Sequence, residues 1–198
     1  SDNRADLQRA EHALKLAGEG RHVVVVSSGD PGVFAMASAV FEAVETGPLS
    51  WRELDITVLP GITAMLAAAA RLGAPLGHDF CVINLSDNLK PWSIIETRLR
   101  LAVEADFAMA FYSPRSKARP EGFEKALDLL KCACEKERLI MFARAVSTPE
   151  ESLHTVHLSD ATPDMADMRT MVLLGSRQTR LIPRINAAPI VYTPRSMR

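Results

Sequence analysis

The stretch VVVVSSGDPGVFAMASAVFEAVE, Val23 to Glu45, decides how the chain is read. Four consecutive valines make a strand of the kind buried on both faces, as in a parallel sheet covered by helices. The run His22 to Ser27 ends in two serines. Gly29-Asp30-Pro31-Gly32 follows, and a helical apolar pattern takes over from Val33 to Glu45. Small residues at a strand exit let a ligand approach main-chain N–H and C=O groups, and strand exits are where α/β sheets bind ligands. Asp30 can accept hydrogen bonds from such a ligand or simply cap the next helix. A phosphate loop is disfavoured, because G-x-x-x-x-G-K-[ST] is absent and an acid sits in the turn.

The same grammar recurs downstream. Asp55 to Leu59 reads as a second strand, Pro60-Gly61 stops it, and Thr63 to Arg71 is an alanine-rich helix with Thr63 placed as its N-cap. Asp6 to Ala17 is a helix ahead of the first strand. Alternating strands and helices imply a parallel, helix-covered sheet. The texture changes at Leu72-Gly73-Ala74-Pro75-Leu76-Gly77, which sets an expected boundary between an N-terminal α/β domain, 1–76, and a C-terminal one, 77–198. Past it come strands near Phe80–Leu85, Phe107–Phe111 and Arg138–Ala143, with helices near Trp92–Glu104 and Glu121–Cys134. Ser152–Leu158 and Arg169–Leu174 are strands joined without a long helix, so the second sheet is expected to be mixed.

Composition narrows the function. The chain has 198 residues and a net charge of −1, enough for one ordinary domain or two small ones sharing an interface, and no argument for nucleic acid. No apolar run approaches the roughly 18 residues of a membrane span. The three cysteines form no even disulfide framework, which points to a reducing, cytoplasmic compartment. Cys132 and Cys134 are two apart in a helical pattern, so they do not share a face, and no metal site is expected. No Ser–His–Asp or paired-carboxylate arrangement stands out, so no catalytic acid or base is assigned.

Several segments together carry a family resemblance: SSGDPGVFAMAS, LPGITAMLAAAARLGAPLGHDFCVINLSD, FYSPRSKARP and GSRQTR. They resemble the precorrin-3B C17-methyltransferases of cobalamin biosynthesis, within the tetrapyrrole methylases. The resemblance runs from about Leu14 to about Arg180. It implies two α/β domains, the first with a parallel and the second with a mixed sheet, holding S-adenosylmethionine in the cleft between them. It also implies methyl transfer to C17 of a precorrin-3B-like ring with ring contraction, and a homodimer. Carried over by position, it marks Ser28, Asp30, Val33, Thr63 and Ala64 as cofactor residues in the first half. In the second half it marks Tyr112, Arg144, Ala145, Thr170 and Met171. The basic segment behind Tyr112 offers Arg115 and Lys117 to the substrate's carboxylates, since arginine binds carboxylates bidentately. Lys90 is the next candidate.

There are departures. The family usually has Tyr-Gly where this chain has Phe34-Ala35, and Asn where it has Ser113. It also normally begins with a strand and a GxGPGD-type loop that this sequence does not contain. Two other readings therefore stay open. One is a sister methylase acting at another carbon or on a cobalt-loaded ring. The other is a truncated, non-catalytic chain that binds tetrapyrrole.

Overall fold

A computed structural model describes residues 3–115 and 120–196, with side chains from residue 5. The chain divides into two compact units, Ser1–Thr63 and Ala64–Arg198.

In the first unit, α1 (Asn3–Gly18) and α2 (Met36–Thr46) pack through Ala10, Leu14 and Ala43. A short 3-10 turn, Leu49–Glu53, brings Trp51 and Leu54 against them. Both expected helices are present, but α2 starts at Met36 and not at Val33. Pro31 to Ala35 form turns instead, with Phe34 in the left-handed region at φ 53°. The two expected strands, His22–Ser27 and Asp55–Leu59, join no ladder among the described residues. The physical reason is that a strand is defined by its partner, and these two segments do not pair with each other. Val24 and Val26 are 84% and 88% exposed, far from the two-sided burial that a valine run implies.

The second unit is a layered α/β body. Five strands, β2 (Phe80–Asn84), β3 (Ala108–Tyr112), β4 (Leu139–Arg144), β5 (Ser152–His157) and β6 (Thr170–Leu174), lie in the order β2-β3-β6-β4-β5. Only β2 and β3 pair in parallel; β6 runs antiparallel to both β3 and β4, so the sheet is mixed as expected. Side chains alternate across it. Met109, Phe111, Ile140, Phe142, Val172 and Leu174 face α4 (Trp92–Glu104) and α5 (Gly122–Ala133). There Phe123 meets Phe142 edge-on at 6.0 Å, a geometry that contributes about 0.5–1.5 kcal/mol beyond burial.

The opposite face carries smaller residues, Ala110, Met141, Ala143, Met171 and Leu173. They let the alanine-rich α3 (Ala64–Leu72) approach closely through Ala68, Ala69 and Leu72. The expected boundary at Gly77 would place this helix in the N-terminal domain; its burial places it against the second unit's sheet instead. A small second sheet joins β1 (Gly73–Ala74) to β8 (Ala187–Tyr192), which pairs antiparallel with β7 (Arg180–Arg184). This hairpin was absent from the expectations.

Candidate functional site

In the first unit the two expected strand exits lie against each other. Asp30 Oδ1 accepts the Gly32 N–H at 2.8 Å, and its Oδ2 accepts the Gly61 N–H at 3.0 Å. The carboxylate therefore ties the GDPG turn to the PGIT turn. It does not cap α2, which begins six residues later. Glycine is required at 61, because a Cβ there would stand 2.0 Å from the Gly29 carbonyl oxygen. Gly29 itself is left-handed at φ 70°, and its Cβ position would lie 3.6 Å from the Thr63 Cα. Thr63 is 4% exposed and directly precedes α3. Ser28, Asp30 and Thr63 are thus brought into one neighbourhood, built largely from main chain.

In the second unit the marked residues gather at one edge of the sheet. β2, β3 and β4 end there and β6 begins there. Asn84 is in register with Tyr112, and Arg144 with Thr170. The two strand exits next along are both left-handed without glycine: Ser113 at φ 52° and Ala145 at φ 49°. Such strain is usually stored at functional sites, and Ser113 is where the family's Asn would sit at lower cost. The five residues do not share a face. Tyr112 and Met171 lie on the α3 side, where the Tyr112 hydroxyl accepts the Met65 N–H at 3.2 Å in the first turn of α3. Arg144 and Thr170 sit opposite each other on the other side.

Asp167 joins that second pair. Its Oδ2 takes the Arg144 Nε–H at 2.7 Å, and its Oδ1 takes the Thr170 hydroxyl at 2.7 Å and the Arg169 N–H at 2.9 Å. Burial pushes the Asp167 carboxyl up, but the hydrogen bonds from Thr170 and Arg144 outweigh it and hold the group below the usual aspartate range. The Ala145 N–H is spent on the Arg169 carbonyl at 3.0 Å. The following loop is strapped to α3: Glu151 takes Nε and Nη2 of Arg71, the former at 2.8 Å, and the Ser147 N–H at 2.7 Å. Neither Asp167 nor Glu151 was singled out from sequence, since each lies in irregular backbone with no motif around it.

On the substrate side, Arg115 is 2.7 Å from Asp164, itself well exposed. Lys117 lies outside the described residues. The Lys90 ammonium donates to the Ser86 carbonyl at 3.1 Å. Among the described residues no group of three His, Cys, Asp or Glu side chains is arranged to hold a metal ion, and no helix is long and apolar enough to cross a membrane.

Small side chains at every exit (Ser28, Gly29, Gly61, Ser113, Ala145) suit a ligand that is read through main-chain groups. The sequence profile of the Tetrapyrrole (Corrin/Porphyrin) Methylases matches residues 2–162. The chain is 51% identical, over 98% of its length, to the Precorrin-3B C(17)-methyltransferase of a Sinorhizobium species, and covers 77% of that protein. The crystal structure of the methyltransferase CobJ superposes with a TM-score of 0.91 at 63% identity, over 98% of this chain and 79% of that one. At 19% identity and a TM-score of 0.61, the fold is also that of a Thermus thermophilus uroporphyrin-III C-methyl transferase, a structure complexed with S-adenosyl homocysteine. That likeness covers 86% of this chain and 73% of that one.

Proposed function

Because the chain belongs to the tetrapyrrole methylase family, we propose that it serves an S-adenosylmethionine-dependent methyltransferase acting on C17 of a precorrin-3B-like macrocycle in cobalamin biosynthesis, with ring contraction. The observation that carries this reading is the position of the marked residues. In the first unit they fall on or beside the two turns that Asp30 ties together, and in the second at the end of the sheet where β3 and β4 finish and β6 begins. The chain's 51% identity to a Precorrin-3B C(17)-methyltransferase supports the choice of ring.

The donor supplies an activated methyl on a sulfonium. Transfer would exchange the S–CH3 bond for a C–CH3 bond made with the macrocycle's own electron pair, leaving a neutral thioether, and the macrocycle would shed its gained positive charge as a proton to solvent. Such a displacement depends on alignment more than on a strong base. The residues proposed to bind and orient the donor are Ser28, Asp30, Val33, Thr63 and Ala64 in the first half, and Tyr112, Arg144, Ala145, Thr170 and Met171 in the second. Their parts differ. Asp30 acts through the turns it ties together. Tyr112 fixes the start of α3. Asp167 holds the Arg144 side chain and the Thr170 hydroxyl in place.

Arg115 and Lys117 are proposed to anchor acetate or propionate carboxylates. For Arg115 this means that a substrate carboxylate replaces Asp164, an exchange of one exposed ion pair for another with little net cost. We further propose a cytoplasmic homodimer. Sedimentation of the purified protein checks the dimer. Calorimetry with S-adenosylhomocysteine tests the donor site, and absence of binding by the complete enzyme removes this reading.

A further inference from the structure

The five-stranded sheet of the second unit has two edges, and they differ. β5 closes one side with Ser152, His154, Thr155 and His157, polar side chains that discourage further pairing. β2 closes the other with Phe80-Cys81-Val82-Ile83-Asn84, which carries no charge and no proline. Among the described residues nothing pairs with its outer side. The direction of its main-chain groups follows from its inner side. The Leu85 N–H donates to the Tyr112 carbonyl, and the Asp79 carbonyl accepts the Ala108 N–H. Main-chain groups alternate in direction along a strand, so Cys81 and Ile83 also turn theirs toward β3. Phe80, Val82 and Asn84 turn theirs outward.

Beside this edge runs a shallow groove of about 680 Å³, between β2 and the outer side of α4. Leu101, 58% exposed, stands in its middle, with the small Ala102 and Ala105 next to it. Arg98 and Glu104 flank Leu101 at equal spacing, about 9 Å apart along the helix axis. α4 runs antiparallel to β2, since Phe80 is in register with Ala108, just past the end of α4. Glu104 therefore lies at the Phe80 end of the groove and Arg98 toward the Asn84 end. On the same helix Arg100 pairs with Glu96, but neither Arg98 nor Glu104 has an ion-pair partner among the described residues.

We propose that β2 and α4 form the interface between two copies of this chain, joining their five-stranded sheets edge to edge into one continuous sheet. The inference rests on the homodimer proposed above and names its surface. The pattern is self-complementary, as a two-fold contact requires. A second copy turned about an axis at Val82 lays its β2 antiparallel against this one. Val82 then faces the partner's Val82, and Phe80 faces the partner's Asn84, each as a pair that exchanges two main-chain hydrogen bonds. The same axis brings Leu101 to the partner's Leu101 and sets Arg98 against the partner's Glu104. Opposite charges at opposite ends favour a second copy over an unrelated strand, which would have to bring both matching charges itself.

The test measures dimer dissociation of the complete enzyme by sedimentation at low ionic strength, for wild type, for Arg98→Glu, for Glu104→Arg and for an equimolar mixture of the two variants. Both residues are exposed, so neither substitution disturbs the core. Each variant alone sets like charges together at both ends of the interface, and its dissociation constant is expected to rise about tenfold or more. In the mixture opposite charges face each other again at both ends, and the mixed dimer is expected to form about as tightly as wild type. In the wild-type dimer the amides of Phe80, Val82 and Asn84 are expected to exchange about tenfold more slowly than after dilution to monomer, with Cys81 and Ile83 unchanged. A dimer indifferent to both substitutions, a weakening that mixing does not repair, or edge amides equally fast in both states overturns this surface and leaves the homodimer standing. A wild-type chain that stays monomeric removes both. None of these readings involves methyl transfer, so the result stands apart from the proposed activity.

Discussion

Asp30 and Gly61, thirty-one positions apart, are joined by a carboxylate-to-amide hydrogen bond of 3.0 Å. The other oxygen of Asp30 holds Gly32 within its own turn. The two bonds respond differently to substitution. Asp30→Asn keeps one acceptor and turns an amide group toward the second N–H; Asp30→Ala removes both. Exchange at the Gly61 amide is expected to speed up in both variants, and at Gly32 only in the alanine variant. Net hydrogen-bond contributions of about 0.5–1.5 kcal/mol each set the scale. A Gly61 amide that stays protected in Asp30→Ala would show that something else joins the two turns.

Gly61→Ala probes the same contact by shape. Its Cβ meets backbone at 2.0 Å, so the two turns must separate. The expected result is a loss of S-adenosylhomocysteine affinity by the complete enzyme together with lowered melting of the first unit. Gly18→Ala is the control. It sits in α1 with only ordinary contact, 3.9 Å to Trp51, and is expected to be neutral or to stabilise by about 0.4–1 kcal/mol.

Asp167 separates positioning from folding. Asp167→Ala leaves the Arg144 guanidinium and the Thr170 hydroxyl without their acceptor. Donor affinity is expected to fall about tenfold, equivalent to 1.4 kcal/mol, while cooperative melting persists. Asp167→Glu, which restores an acceptor, is expected to recover part of it. If all variants bind the donor equally, this edge of the sheet does not serve the donor.

Arg115→Ala is expected to weaken binding of the carboxylate-rich macrocycle about tenfold to a hundredfold, from the roughly 1.5–3 kcal/mol of a charged hydrogen bond. Donor affinity should stay nearly constant. Asp164→Asn frees the same guanidinium and is expected to strengthen macrocycle binding slightly. Titrations of both ligands check the pair, and equal weakening of both by Arg115→Ala would make Arg115 structural.

The Arg138 guanidinium, only 1% exposed, reaches Asp106, Glu135 and the Gly175 carbonyl. Its hydrogen bond is the main reason that the Glu135 carboxyl falls from 4.5 to about 2, with a backbone bond and Arg177 adding to it. A depressed folded-state value stabilises the fold above the unfolded value and is lost as pH falls through the folded one. The melting difference between wild type and Glu135→Gln is therefore expected to be full above pH 4.5 and to vanish near pH 2. A difference that does not change across that window would assign the effect to packing.

Local pattern carried much of the second unit. The helix Trp92–Glu104 falls where apolar spacing places it, and the strands of the five-stranded sheet lie within a residue or two of their hydrophobic runs. What failed was non-local. Val23 to Val26 read as a strand because their side chains favour one, yet a ladder also needs a neighbour, and none of the described residues supplies it. The β7–β8 hairpin was missed because Pro183 and Pro189 interrupt both runs. Pro183 falls where the register shifts between Ile182 and Arg184. Asn186, left-handed at φ 56°, makes the turn. Among site residues, the glycine turns were legible through their motifs. Asp167 and Glu151 were not, because their roles arise only when distant loops meet.

The most direct test of the methyltransferase reading supplies precorrin-3B and trideuteromethyl-labelled S-adenosylmethionine to the complete enzyme, then reads product mass and the position of the label by carbon NMR. The account predicts one labelled methyl per macrocycle, at C17, with one S-adenosylhomocysteine released for each. A label at another carbon, or an unmodified macrocycle from an enzyme that still binds it, would contradict it.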